Sequence, residues 1–114
     1  MTDALKEKFR QGRPMEISPA DAELIREVLR RVMAVTLETE REQISDNALV
    51  FDELGLDSID VFDMLEQLAD EFEVQIELEH LPQDLIYGRD GLTFGDFAEA
   101  FIAYFGSAPA EQEQ

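Results

Sequence analysis

The serine hydroxyl of Gly55-Leu56-Asp57-Ser58-Ile59 sits where an acid-lined loop turns into an acidic amphipathic helix. A serine there can serve the backbone alone, because Ser, Thr and Asp favour helix starts. Acting as a catalytic nucleophile, it would need a base within hydrogen-bond reach, and the only histidine in the chain is His80. His80 reads as a surface residue beyond the helix, and nothing around it has metal-ligand spacing. No segment gives the alternating ligands, glycine and final glutamate of a calcium loop, so no metal site is expected. Catalytic residues are likewise not expected.

Downstream of Ser58, the carboxylates Asp60, Asp63, Glu66 and Asp70 fall at spacings of three, three and four, which aligns them on one strip of a helix. No basic residue answers them. Like charges so spaced cost a helix a few tenths of a kcal/mol per pair, offset only near the N-terminus, where the macrodipole favours Asp60 and Asp63. A purely structural helix would gain from a lysine here; a solvated acidic face is the plain alternative. Ile59 and Phe62 lie off the inner stripe, either as apolar contacts ringed by acids or as half-buried core.

The elements that position these residues can be read from caps and periodicity. Ser18-Pro19-Ala20-Asp21 is a helix start, and Leu24, Ile25, Val28, Leu29, Val32 and Met33 give one apolar stripe running to Thr36 or Leu37. Some twenty residues follow before Asp57, a length that calls for a pinned or functional loop; Ile44, Leu49, Val50, Phe51 and Leu54 can anchor it, with turns at Asn47 and Gly55. Asp57 caps the next helix, which continues to Phe72 with Val61, Met64, Leu65, Leu68 and Phe72 inward. Val74, Ile76 and Leu78 alternate with polar residues and read as a link. Pro82, Gly88 and Gly91 leave room only for a short helix over residues 83–87. Thr93-Phe94-Gly95-Asp96 caps a final helix whose stripe is Phe94, Phe97, Ala98, Phe101, Ile102 and Phe105, stopped by Gly106. These pieces predict an all-α antiparallel bundle of three main helices and one short one around a single core. Residues 1–17 are expected to be a flexible extension or a short fraying helix, and residues 107–114 a disordered tail.

Composition bounds the partners. A chain of 114 residues suits one domain, and without cysteine any thiol it uses must be added. Twenty-seven acids against nine Lys and Arg give a formal charge of -18, which repels nucleic acid and anionic lipid and favours partners with basic patches. Residues 1–13 hold four bases and two acids, leaving five bases and twenty-five acids, or -20, for the rest. Residues 42–88 contain no Lys or Arg. No signal-peptide run or stretch of about 18 apolar residues occurs, so a cytoplasmic monomer without a membrane span is expected.

The stretch Phe51-Asp52-Glu53-Leu54-Gly55-Leu56-Asp57-Ser58-Ile59-Asp60-Val61-Phe62-Asp63-Met64-Leu65 resembles the prosthetic-group motif of acyl carrier proteins. In that family a 4′-phosphopantetheine arm is carried on the serine of Gly-x-Asp-Ser-Leu; Ile59 stands where leucine is usual. The resemblance covers residues 19–106, with a comparably long first loop, and is weakest over residues 78–92, where this chain is several residues longer than typical carriers. It implies a carrier domain over residues 18–106 that is not itself an enzyme. Ser58 would receive its arm from coenzyme A through a phosphopantetheinyl transferase. Asp57, Ile59, Asp60, Phe62, Asp63, Glu66, Asp70 and Glu71 would dock basic patches of acyl-loading and acyl-processing enzymes. Val61, Met64, Leu65, Leu68, Ile86 and Phe97 would line the acyl chain. The pathway would be synthesis of fatty acids, a specialised lipid or a polyketide. An unmodified acidic interaction module on the same fold is the alternative.

Overall fold

A computed structural model of the chain describes residues 3–10 and 17–106. The described residues form five α-helices and no strand: α1 (Asp3–Arg10), α2 (Pro19–Leu37), α3 (Ser58–Phe72), α4 (Gln83–Tyr87) and α5 (Phe94–Gly106). Helices α2, α3 and α5 with the short α4 make the expected bundle, and α1 is added to it.

Each long helix starts on the cap read from its sequence. In α2 the Asp21 N–H donates to Ser18 Oγ at 3.1 Å while the Ser18 N–H donates to Asp21 Oδ2 at 3.2 Å, with Pro19 in the first turn. In α5 the Asp96 N–H donates to Thr93 Oγ1 at 3.1 Å. Further donors of its first turn are satisfied by the first loop, with Phe94 N–H on the Ala48 carbonyl at 2.8 Å and Gly95 N–H on the Asp46 carbonyl at 2.9 Å. Both α2 and α3 end on a glutamate in left-handed conformation, Glu38 at φ 56° and Glu73 at φ 57°.

The inward faces are those of the apolar stripes. Phe72, Phe94, Phe97, Phe101 and Phe105 are among the largest fully buried side chains and pack with Ile25, Leu29, Met33, Met64 and Leu68 in one core. The long first loop is pinned as its composition suggests. Ile44 and Val50 are buried and Leu49, Phe51 and Leu54 partly so, while a 3₁₀ turn spans Arg41–Gln43. Arg30 of α2 fixes the loop further: its Nε donates to the Ile44 carbonyl at 2.8 Å and its guanidinium lies 4.8 Å from the Phe94 ring centroid. Val74, Ile76 and Leu78 form a link and not a strand, ending in a 3₁₀ turn at Leu78–His80.

Residues 3–10 take the helical one of the two forms expected within residues 1–17: they form α1, and Leu5 is completely buried. Phe9 joins Phe72 and Phe105 in an aromatic cluster, with ring centroids 5.3 and 5.0 Å from them. Ion pairs bind the helix down: Lys6 Nζ to Glu73 at 3.2 Å, Arg10 to Glu73 at 3.5 Å, and Lys8 to Asp21. The local sequence offered only two large apolar residues; tertiary contacts supply the rest. Ile17 is partly buried against the core, and residues 1–2 and 11–16 of that extension, with the tail at 107–114, lie outside the described residues.

Candidate functional site

Ser58 is the first residue of α3, half-buried, and its place follows from its neighbours. Gly55 takes φ 79°, a conformation open to glycine, and Leu56 is buried, its N–H on the Val50 carbonyl at 3.0 Å. Asp57 then starts the helix: its Oδ1 accepts the Asp60 N–H at 2.9 Å, and its own N–H donates to Asp60 Oδ2 at 3.3 Å. Asp57 and Asp60 do the capping, which leaves the Ser58 side chain free of that duty.

The carboxyl of Asp60 is held above the ordinary aspartate range. Burial is the largest cause, opposed by the Asp57 N–H and reinforced by the charges of Asp57 and Asp63.

The Ser58 side chain borders a surface pocket of about 600 Å³, walled by Phe51 and Leu56 of the first loop and by Tyr87, Gly88 and Arg89 at the end of α4; Asp57 and Asp90 also line it. Tyr87 is 71% exposed. The far wall is anchored to the near one. Gly88 stands at φ 98°, a conformation that strains an L side chain, and a Cβ there would crowd the Phe51 ring at 3.2 Å. The Gly91 N–H donates to Asp52 Oδ2 at 2.9 Å, the Val50 N–H to the Leu92 carbonyl at 3.0 Å, and Leu49 and Thr93 form an antiparallel bridge. The pocket brings a hydroxyl, an aromatic wall and a guanidinium together beside two carboxylates.

Of the four carboxylates on the acidic strip, Asp60 is half-buried and takes part in the cap of α3, and the other three face outward. Asp63, Glu66 and Asp70 are exposed and pair with no base among the described residues. Glu71 differs, being paired with Arg31 of α2 at 3.2 Å. Ile59 is 69% and Phe62 42% exposed, so both lie on the surface and not in the core. Beside the strip runs an open groove of about 880 Å³, floored by Phe62, Leu65, Ala69, Val74 and Ile76 and rimmed by Asp63, Glu66, Asp70 and Glu73. The link residues of this groove and the Tyr87–Arg89 wall of the pocket were missed by sequence reasoning. The isolation of Arg89 among acids was the available signal. Val61, Met64, Leu65, Leu68, Ile86 and Phe97 are all buried in the core, and of these only Leu65 reaches the groove.

His80 Nδ1 lies 2.9 Å from Glu77, remote in sequence from Ser58. Among the described residues no group of three or more His, Cys, Asp or Glu could hold a metal ion, and no helix is long and apolar enough to cross a membrane.

A helical bundle that presents a loop-to-helix serine beside an open pocket is consistent with a carrier domain. Residues 23–84 match the family described as "Phosphopantetheine attachment site". The chain is also 34% identical over 58 residues to "Acyl carrier protein AcpXL" of Rhizobium meliloti (strain 1021), a match covering 51% of this chain and 61% of that protein's length. No solved structure matches the chain. The chain belongs to the phosphopantetheine-attachment family of acyl carrier proteins, whose prosthetic group is covalent 4′-phosphopantetheine.

Proposed function

We propose that the chain holds acyl intermediates as thioesters on a 4′-phosphopantetheine arm at Ser58 and delivers them to enzymes of fatty acid, specialised lipid or polyketide synthesis. The observation that carries this reading is Ser58 itself: half-buried at the first position of α3, relieved of capping by Asp57 and Asp60, and open to the 600 Å³ pocket, in a chain that matches the attachment-site family over residues 23–84.

Loading would join Ser58 Oγ to the phosphorus of coenzyme A that bears the pantetheine, with the nucleotide bisphosphate leaving. A transferase would take the serine proton, so this chain needs no base of its own. When bound, the group supplies a terminal thiol for the thioester. The protein's work is positional: tethering raises the local concentration of substrate at a partner. Carrier function, without catalysis of its own, is assigned to residues 18–106 in the cytoplasm.

Docking is assigned to α3. Asp63, Glu66 and Asp70 offer unpaired charge, Ile59 and Phe62 offer apolar contact, and Asp57, Asp60 and Glu71 complete the acidic field. A partner with a basic patch is the complement. The buried set Val61, Met64, Leu65, Leu68, Ile86 and Phe97 is proposed to part around an acyl chain.

The test is intact mass after incubation with coenzyme A and a broad-specificity phosphopantetheinyl transferase. The wild type gains one phosphopantetheinyl mass and Ser58→Ala gains none. A gain that survives Ser58→Ala, or none in the wild type while a control carrier in the same tube is modified, rejects the reading.

A further inference from the structure

We propose that Arg89 is the counter-charge for the phosphodiester carried at Ser58, with Tyr87 and Phe51 flanking the arm where it leaves the protein. The inference rests on the carrier reading above and assigns residues of this chain to hold the group.

Loading replaces a neutral hydroxyl with a phosphodiester bearing one negative charge. The charge enters a hostile neighbourhood. Asp57 and Asp90 line the same pocket, and Asp60 in the same helix turn is already held above the ordinary aspartate range by burial and by neighbouring carboxylates. The chain as a whole carries -18. Arg89 is the only Lys or Arg after Arg41, and it stands on the wall of the pocket that Ser58 borders.

Its position is built. Gly88, at φ 98°, turns the chain tightly against the Phe51 ring, and the Gly91 N–H on Asp52 and the Leu92 carbonyl under the Val50 N–H tie the next residues to the first loop. In the closed clasp the backbone is thus tied to the first loop just after Arg89, while the Arg89 side chain is half exposed. That side chain meets Asp84 through one contact, Nη1 to Oδ2 at 3.2 Å, with side-chain exposures of 50% and 52%. An exposed pair of this kind is weak and easily exchanged. A phosphodiester offers two free oxygens to the guanidinium fork, which is the geometry arginine matches best. Tyr87 is 71% exposed and lines the pocket with Phe51, which gives the apolar part of the arm a surface to lie on.

The experiment uses the full chain loaded from coenzyme A, with single addition at Ser58 checked by intact mass, at low ionic strength. The Arg89 Nε–H resonance of ¹⁵N-labelled protein and the ³¹P resonance of the attached group are then recorded for wild type, Arg89→Gln and Arg89→Lys, with circular dichroism to verify folding. The expected result is a shift of the Arg89 resonance on loading, a ³¹P resonance displaced in Arg89→Gln, and partial retention in Arg89→Lys. Complete loading with an unmoved Arg89 resonance and identical ³¹P positions in all three proteins overturns the inference and leaves the carrier reading intact. An Arg89 resonance that moves only on adding a partner enzyme also overturns it, in favour of a docking contact. Absence of the mass gain, or addition elsewhere than Ser58, overturns the carrier reading and this inference together.

Discussion

Asp57 and Asp60 cap each other's backbone across one helical turn, and the arrangement sets two carboxylates together at the base of the site. Their shared burden falls on Asp60, whose raised pKa means that its ionised form is the costly one in the folded state. A raised pKa contributes stability that is fully present below the unfolded value and lost as pH rises through the folded one. Asp21 and Glu73 behave oppositely. At Asp21 burial pushes upward but hydrogen bonds from Lys8 and Ser18 outweigh it, and at Glu73 the Lys6 hydrogen bond leads; both carboxyls are lowered. Their stability is present above the unfolded pKa and lost as pH falls through the folded value. The thermal midpoint should therefore rise on mild acidification from neutral pH, then fall below about pH 4, where lowered carboxylates begin to protonate. Asp60→Asn, whose amide oxygen can still accept from the Asp57 N–H, should raise the midpoint at pH 7 and flatten the rise. Melts of both proteins at half-unit pH steps measure this, and an unchanged rise in Asp60→Asn removes Asp60 as its source.

Among the elements, α1 was the least legible and α4 the most informative. Ser18-Pro19, Asp57 and Thr93 announce the starts of α2, α3 and α5 because a cap is local chemistry, and Pro82 with Gly88 confines α4 to the five residues observed. A short helix at α1 was one of two forms open to its sequence, but nothing local announces its docking, since its partners Phe72, Glu73, Phe105 and Asp21 are distant in sequence. The pinning of residues 88–93 to the first loop was hidden for the same reason, and with it the second wall of the site. Leu5→Ala should lower stability by about 2–3 kcal/mol, near the low end for buried leucines because a short helix can detach before it costs more. A loss under about 0.5 kcal/mol in urea unfolding would mean that α1 does not hold its place. On α3, Asp63→Lys or Glu66→Lys should slow acyl transfer to a basic partner while preserving helix content, and rising salt should slow the wild type as charges are screened over roughly 8 Å. Undiminished, salt-insensitive rates in both variants would exclude steering by this face.

At the scale of the whole molecule, twenty-seven acids against nine bases give -18, and the ion pairs described gather the bases onto α1, α2 and their junctions. The face carrying α3 and the following link has little to balance it. Folding concentrates this charge, so chloride salts should raise the thermal midpoint, and magnesium chloride should exceed sodium chloride at matched ionic strength by bridging neighbouring carboxylates. A midpoint unmoved by either salt would show that self-repulsion is a minor term. The clasp between the first loop and residues 88–93 has a kinetic counterpart. Asp52 and Gly91 are 39 positions apart in a fold otherwise built from helices that nucleate locally, so the two walls of the site meet only after a long stretch of chain has closed. The amides of Val50, Gly91 and Phe94, tied across that closure, should lose protection from hydrogen exchange together, as one unit that opens while the interiors of α2 and α3 remain shut. The pocket beside Ser58 would then exist as a pocket only for the fraction of time that this unit is closed.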